Sequence, residues 1–389
     1  MSAIKKIIYV GYVPLTFKVA ADFFITDLAS AGTVVEYWDC SHFFFGNLKI
    51  NGAMEGDWII KVGGISHFKS LLKDLDVKEV VFFINFPYNG KVIRLFRLFT
   101  VKNLKIFIIA RGILPVPGKT VKKSILKLFE PGMFRKGIDF GLNKVALILK
   151  KIKYIKSFDR IYFAGDAAIN IAGVGYKKDT VKSELVCINS SDYDRYLNLS
   201  TEKLIEDRYV VFLDEYLPYH PDVKMFGLVT VEAEDYYNSL NKYFDDVEKR
   251  YNVIVVIAAH PKAELYQNNN FYNNRQVIFN KSVELINSAE FVLGHSSTSI
   301  SFAVLSKKPI IFLYTQYMKE NMAYYFDGIY HFANFLNSSL VDITENMDSK
   351  SEVPKYDEVC YQEFKYRYLT SEETENKVSK DIFLNSVQS

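Results

Sequence analysis

Two stretches carry the strongest signal in this chain. They are Ile254-Val255-Val256-Ile257-Ala258-Ala259-His260-Pro261-Lys262 and Ala289-Glu290-Phe291-Val292-Leu293-Gly294-His295-Ser296-Ser297-Thr298-Ser299. The apolar runs Ile254–Ile257 and Phe291–Leu293 have the length and composition of buried parallel strands. Each run ends in a polar cluster, and a helix is expected to begin at once after the second. In an open α/β sheet, ligands bind beyond the carboxyl ends of the strands. Free N–H groups, hydroxyls and a helix start there suit an anion, and His260 and Lys262 from the neighbouring strand end would complete a phosphate site.

Outward from these runs, strand-like and helix-like segments alternate along the whole chain. Ile7–Val10, Val34–Tyr37, Val80–Ile84, Ile106–Ile109 and Ile161–Phe163 read as strands, with helical spacing between them, as over Val19–Ala29 and Phe68–Leu75. After polar Asn198–Arg208, read as a linker, a second set follows: Val210–Leu213, Val253–Ile257, Val277–Phe279, Phe291–Leu293 and Ile310–Leu313. The segment Glu232–Arg250 places Tyr236, Leu240, Tyr243, Phe244 and Val247 at amphipathic helical spacing. This βαβ pattern predicts an α/β protein of two Rossmann-like domains facing a cleft. The expected boundaries are 1–200, 201–350 and a helical tail over 351–389 that returns to the first domain.

Composition narrows the class. The chain has 389 residues, 49% of them hydrophobic, and a net charge of +3, too small to imply nucleic acid. Cys40, Cys187 and Cys360 are widely spaced, which suits neither a metal cluster nor a disulfide framework and fits a reducing cytoplasm. No signal peptide and no membrane-length apolar run is evident. The chain lacks G-x-G-x-x-G in its first βα turn, a P-loop, a G-x-S-x-G elbow and a D-x-D motif. A nicotinamide dehydrogenase is thereby disfavoured, and no metal and no cofactor is expected.

Paired Rossmann-like halves with H-P-K and G-H-S-S-T-S in the second resemble GT-B glycosyltransferases. More narrowly, they resemble bacterial transferases that use CMP-activated nonulosonic acids, the sialyl-, polysialyl- and Kdo transferases of capsule and O-antigen assembly. The resemblance implies that His260, Pro261 and Lys262, with Gly294, His295, Ser296, Ser297, Thr298 and Ser299, hold the cytidine monophosphate of the donor. It covers about sixty residues of motif; elsewhere only the architecture matches. Teichoic-acid type CDP-polyol phosphotransferases carry a similar arrangement, so the donor stays open. Each residue also has a plainer role: Ser296 and Ser297 as helix caps, His260 as a loop histidine, His295 as packing beneath the loop.

Phe212-Leu213-Asp214-Glu215-Tyr216-Leu217-Pro218-Tyr219-His220-Pro221-Asp222 delivers two carboxylates, Asp214 and Glu215, to a strand end. Asp214 is the first choice as general base, or as the nucleophile of a covalent intermediate in the manner of retaining Kdo transferases; Glu215 and His260 are further catalytic candidates. A turn is the plainer reading of this segment. In the first domain, Gly11-Tyr12, Arg111-Gly112 and Asp166 follow strands and are candidates for acceptor or donor contact; a surface salt bridge is the plain alternative for Arg111. Lys119–Lys156 interleaves Lys122, Lys123, Lys127, Arg135, Lys136, Lys144, Lys150, Lys151, Lys153 and Lys156 with apolar residues. That stretch suits an anionic membrane surface, an acidic lipid-linked glycan, or a solvated basic face.

The expectation is a cytoplasmic glycosyltransferase, peripheral at the inner membrane. It would move a nonulosonic acid such as Kdo from a CMP donor to a glycan or lipid-linked glycan acceptor, with no nucleic-acid partner. The alternatives are a transferase using a CDP-polyol, a UDP-sugar or phosphoribosyl pyrophosphate, a UDP-sugar 2-epimerase, and a non-catalytic nucleotide-sugar-binding scaffold.

Overall fold

The computed structural model describes residues 4–46, 50, 52–86, 88, 90–112, 115, 142, 144–169, 182–199, 203–221, 223, 227–345 and 354–387. Its strands form two sheets, parallel at every pairing.

The first sheet contains β1 (Lys6–Gly11), β2 (Val34–Asp39), β3 (Ile59–Lys61), β4 (Val80–Ile84), β5 (Lys105–Ala110), β6 (Arg160–Phe163) and β7 (Glu184–Cys187) in the order 3-2-1-4-5-6-7. The second contains β8 (Tyr209–Leu213), β9 (Ile254–Ala259), β10 (Val277–Phe279), β11 (Val292–Gly294), β12 (Ile310–Tyr314) and β13 (Ser339–Asp342) in the order 10-9-8-11-12-13. Both orders are doubly wound. Each sheet therefore has a switch point, between β1 and β4 and between β8 and β11, where successive crossovers leave in opposite directions.

The ten strands read from the apolar runs all form. The three that those runs do not reveal are β3, β7 and β13, each at a sheet edge. An edge strand has one hydrogen-bonded side and less covered faces, so Glu184-Leu185-Val186-Cys187 mixes polar with apolar residues. The helical spacing of Val19–Ala29 resolves into two helices, Phe17–Asp22 and Ile25–Ser30, broken where Phe24 takes a left-handed conformation at φ 57°.

By packing, the chain divides at Ser191/Asp192 and again at Leu369/Thr370. The first division precedes the polar stretch Asn198–Arg208, because the helix Ser191–Leu197 lies almost wholly in the second unit. Of the tail, the helix Glu358–Phe364 belongs to the second unit, and residues from Thr370 onward belong to the first.

In the first unit the central strands are buried on both faces, so residues alternate between two cores: Ile8, Val10 and Phe82 on one side, Ile7, Tyr9 and Phe83 on the other. The helix Ser379–Val387 closes the second of these cores. Its Phe383 packs on Phe24, Phe83 and Tyr162, with ring centroids 4.6, 5.5 and 4.9 Å away. Buried Asn189 ties this segment down. It receives a bond from Thr370 at 2.6 Å and donates to the carbonyls of Lys377 and Thr374 at 2.7 and 3.2 Å.

In the second unit, the helix Ala233–Tyr251 turns Tyr236, Leu240, Tyr243, Phe244 and Val247 inward. Asn252 ends it in the left-handed conformation at φ 50°. No described helix is long and apolar enough to cross a membrane.

Candidate functional site

Strand register brings the two motifs and the carboxylate pair together in the second unit. Leu213 is level with Gly294 on one side and with Ala258 on the other. The next residues, Asp214-Glu215, His295-Ser296 and Ala259-His260, therefore lie at one carboxyl edge, around the switch point between β8 and β11.

Glu215 spans that switch point. Its Oε1 accepts the Ser296 N–H at 2.7 Å, and its Oε2 accepts the Tyr325 hydroxyl at 2.9 Å. The carboxyl is partly buried. Burial is the largest influence on it and exceeds the stabilisation from its two donors, with nearby Asp214 adding repulsion; the pKa is pushed up to about 7. A carboxyl poised at neutrality is able both to take and to give a proton.

Asp214 has a different environment from the one expected of a carboxylate at the mouth of a site. It is 4% exposed, and its oxygens are committed. Oδ1 accepts Tyr272 O–H and Tyr216 N–H, each at 3.0 Å, and Oδ2 accepts His260 N–H at 3.4 Å. The reason is local: the Asp214 N–H still pairs with Ala258 O, prolonging the strand, and the chain then turns at Tyr216, left-handed at φ 54°. Asp214 closes that turn from beneath. Burial pushes its pKa upward, against those hydrogen bonds. The residue fixes the loop that carries Glu215 and the start of the His260 loop.

The hydroxyls behind Asp214 form a directed chain. Tyr272 donates its one hydroxyl proton to Asp214, so Tyr266 donates to Tyr272 at 3.2 Å, and Tyr237 to Tyr266 at 2.9 Å. Burial and the Asp214 charge raise the pKa of all three phenols, which stay protonated.

His295, expected among the donor-binding residues, is fully buried. Its Nδ1 lies 2.6 Å from Leu313 O, and a carbonyl only accepts, so Nδ1 carries the proton. Its Nε2 then accepts from Tyr236 O–H at 2.9 Å. Burial lowers its pKa to about 4, so the ring is neutral and both nitrogens are used. His295 is a packing residue under the loop.

The other motif residues reach the surface. His260 is half-buried, its Nδ1 accepts the Lys262 N–H at 3.2 Å, and its ring meets His220 edge-on at 4.9 Å. Pro261, Lys262 and Thr298 are exposed; Ser296, Ser297 and Ser299 are half-buried. Ser297 Oγ accepts the Ser299 N–H at 3.3 Å, so it shapes the turn. No side chain caps the six-residue helix Ile300–Leu305. Gly294 is buried at the end of β11.

The first-unit candidates also stand at strand ends, after β1, β5 and β6. A Cβ on Gly11 would overlap the Tyr37 hydroxyl, which bonds Val13 O at 2.7 Å. Tyr12 is 40% exposed, beside Phe44 and Phe45. Gly112 and Asp166 are exposed. Arg111 turns inward: its side chain is 6% exposed, lies over the Phe24 ring, bonds Asp22 O and stands 4.0 Å from the Asp22 carboxylate, an enclosed pairing and not a surface salt bridge. Among the described residues no His, Cys, Asp and Glu side chains group as a metal site.

Sequence reasoning missed Tyr325 and the phenols around Asp214. Their only signal is abundance, 27 tyrosines in the chain, which does not point to particular positions.

No family model and no curated protein matches the sequence. Solved structures give distant likenesses. The glycotransferase of kitacinnamycin is 10% identical, with all of both chains covered and a TM-score of 0.49. Spinosyn rhamnosyltransferase SpnG, complexed with thymidine diphosphate, is 10% identical over 93% of this chain and 90% of its own, at 0.47. UDP-GlcNAc 2-epimerase from Methanocaldococcus jannaschii is 11% identical over 98% of each chain, at 0.45. At these values none of them carries an argument about this chain's chemistry; two doubly wound parallel sheets, read from the strand order itself, are what this chain possesses.

Proposed function

We propose that this chain is a glycosyltransferase of the GT-B type whose second unit binds a nucleotide-activated sugar, with a CMP-linked nonulosonic acid as the donor. One observation carries the reading: at the second sheet's switch point, a carboxyl poised near neutrality lies beside the G-H-S-S-T-S turn and the H-P-K loop. The switch point is where open α/β sheets bind ligands. Lys262 and the Ser297–Ser299 turn supply a cation, hydroxyls and amides for the donor phosphate. The motif pair favours cytidine through its resemblance to CMP-nonulosonate transferases.

In the reaction, an acceptor hydroxyl oxygen attacks the anomeric carbon, the bond from that carbon to the phosphate oxygen breaks, and CMP leaves with the bonding pair. Glu215 takes the hydroxyl proton. Asp214, being enclosed, acts by holding Glu215 and His260 in place. A glycan or lipid-linked glycan is the acceptor class that suits this donor.

Thermal-shift and titration measurements with CMP, CDP and UDP test the donor. Stabilisation by CMP, weakened in Lys262→Ala, supports the reading. Stabilisation by UDP alone would move it to a UDP-sugar enzyme, and no response to any of the three would refute a nucleotide site. Transfer assays follow on Glu215→Gln, which should retain CMP affinity and lose turnover.

A further inference from the structure

The basic stretch singled out in the sequence begins earlier and is more lopsided than its densest part shows. Between Val80 and Phe158 the chain has seventeen lysines and arginines against two acids, Glu130 and Asp139. Residues 116–141 and 143 lie outside the described structure, so Lys119, Lys122, Lys123, Lys127, Arg135 and Lys136 enter only through their charge. The described remainder includes a helix over 144–151 in the first unit.

One face of that helix is inside. Ala146 is fully buried, and Leu149 packs on the core containing Phe96 and Phe158. Lys150 is 4% exposed and lies over the Tyr88 ring at 4.3 Å. At its start, a Cβ on Gly90 would overlap Leu142, so the glycine admits the helix close to the sheet's crossover.

The opposite face is aliphatic and open. Val145, Ile148 and Ile152 are 43, 58 and 65% exposed. Their spacing of three and four residues makes one continuous stripe. Lys144 and Lys151, seven residues apart, run beside it, and Lys153 follows; all three are exposed. From Leu142 to Phe158 there is no acidic residue. Single exposed apolar residues are ordinary, but an aliphatic row edged by lysines is the pattern of an interfacial helix.

We propose that this face docks the first unit onto the surface of an anionic lipid bilayer, with Val145, Ile148 and Ile152 entering the headgroup boundary and Lys144, Lys151 and Lys153 meeting lipid phosphates. The two halves of the pattern select that partner together. Lysines alone would serve a polynucleotide or an acidic glycan, but neither rewards burial of isoleucine and valine. A second copy of the same face would bring lysine against lysine. An interfacial helix with aliphatic residues on one side and lysines beside them gains from both terms. The inference is independent of what the second unit binds.

The test is sedimentation of the whole protein with vesicles of phosphatidylglycerol mixed into phosphatidylcholine, and with vesicles of phosphatidylcholine alone. The wild type should pellet with the anionic vesicles, release as salt rises, and stay in solution with the neutral ones. The triple change of Lys144, Lys151 and Lys153 to Gln should lower partitioning by about fivefold for each charge removed. Ile148→Ser with Ile152→Ser should lower it at constant charge. Both variants alter exposed side chains, and an unchanged melting profile followed by the first unit's tryptophans would show that they are folded. The proposal is overturned if the wild type ignores anionic vesicles, or if the serine pair binds them as well as the wild type. It is also overturned if the lysine-dependent binding is to an oligonucleotide and not to vesicles, or if size-exclusion chromatography shows a dimer that the serine pair dissociates.

Discussion

Replacing Glu215 by Gln should make the second unit more stable in mild base while leaving it nearly unchanged in mild acid. The carboxyl's pKa rises from 4.5 to about 7 on folding. A group held protonated by folding contributes its full stability below the unfolded value and loses it as pH rises through the folded one. At about 1.4 kcal/mol for each tenfold change in ionisation, the ionised wild type is at most roughly 3.5 kcal/mol weaker above neutrality than below pH 4.5, less whatever water supplies at the partly exposed carboxyl. Glutamine has the groups for both contacts: its oxygen accepts the Ser296 N–H, and its amide donates to the Tyr325 oxygen. Urea unfolding at about pH 5 and about pH 8.5 therefore isolates the ionisation, since the variant-minus-wild-type difference cancels the other titrating groups. Trp38 and Trp58, the chain's two tryptophans, both lie in the first unit, so fluorescence follows that unit and circular dichroism is needed for the second. A difference that grows with pH toward 1–3 kcal/mol is expected. An equal difference at both pH values would refute the claim that Glu215 ionises against its surroundings.

Four further outcomes follow from the geometry. If Glu215 is the base, the wild-type transfer rate climbs about tenfold per pH unit below about pH 7 and levels off above it, as a pH–rate profile under subsaturating acceptor would show. Lys262→Ala should weaken CMP by about 1.5–3 kcal/mol in a calorimetric titration, the loss of one charge-assisted hydrogen bond. Asp214→Ala strands the Tyr272 hydroxyl and the Tyr216 amide at about 1–3 kcal/mol for each unpaired group, so a marked fall in urea midpoint is expected. Asp214→Asn, which keeps one acceptor oxygen, should fall less. Gly11→Ala forces Tyr37 out of its place and should lower the first unit's tryptophan-monitored melting point by the equivalent of about 1–3 kcal/mol or more.

The sequence was legible wherever one physical demand ruled a stretch. Central strands must be apolar on both faces, so Val80–Ile84 and Val210–Leu213 stand out as unbroken runs. Edge strands such as Ile59–Lys61 and Ser339–Asp342 are covered less and look like loops. The two motifs and the carboxylate pair stand out in the sequence because strand ends in a parallel sheet collect polar residues. What residue type did not reveal was direction. Asp214 and Glu215 are neighbours of similar chemistry, yet strand pairing carried through Asp214 encloses one, and the turn at Tyr216 leaves the other at the switch point. His295 and His260 divide in the same way, one sealed against Leu313 O and one at the surface. Tyr325 comes from a helix more than a hundred residues beyond its partner, and no local pattern announces such a contact.

The return of residues from Thr370 to the first unit has a consequence for synthesis. A ribosome delivers the chain in order, so all of Asp192–Leu369 emerges before the helix that supplies Phe383. Until then Phe24, Phe83 and Tyr162 lack the side chain that covers them, and Asn189 lacks Thr370 and Lys377. The second unit is able to complete its sheet while the first still waits with an aromatic face uncovered. The unit that begins first is thus the one that finishes last, and during elongation its open core is the surface a chaperone would meet.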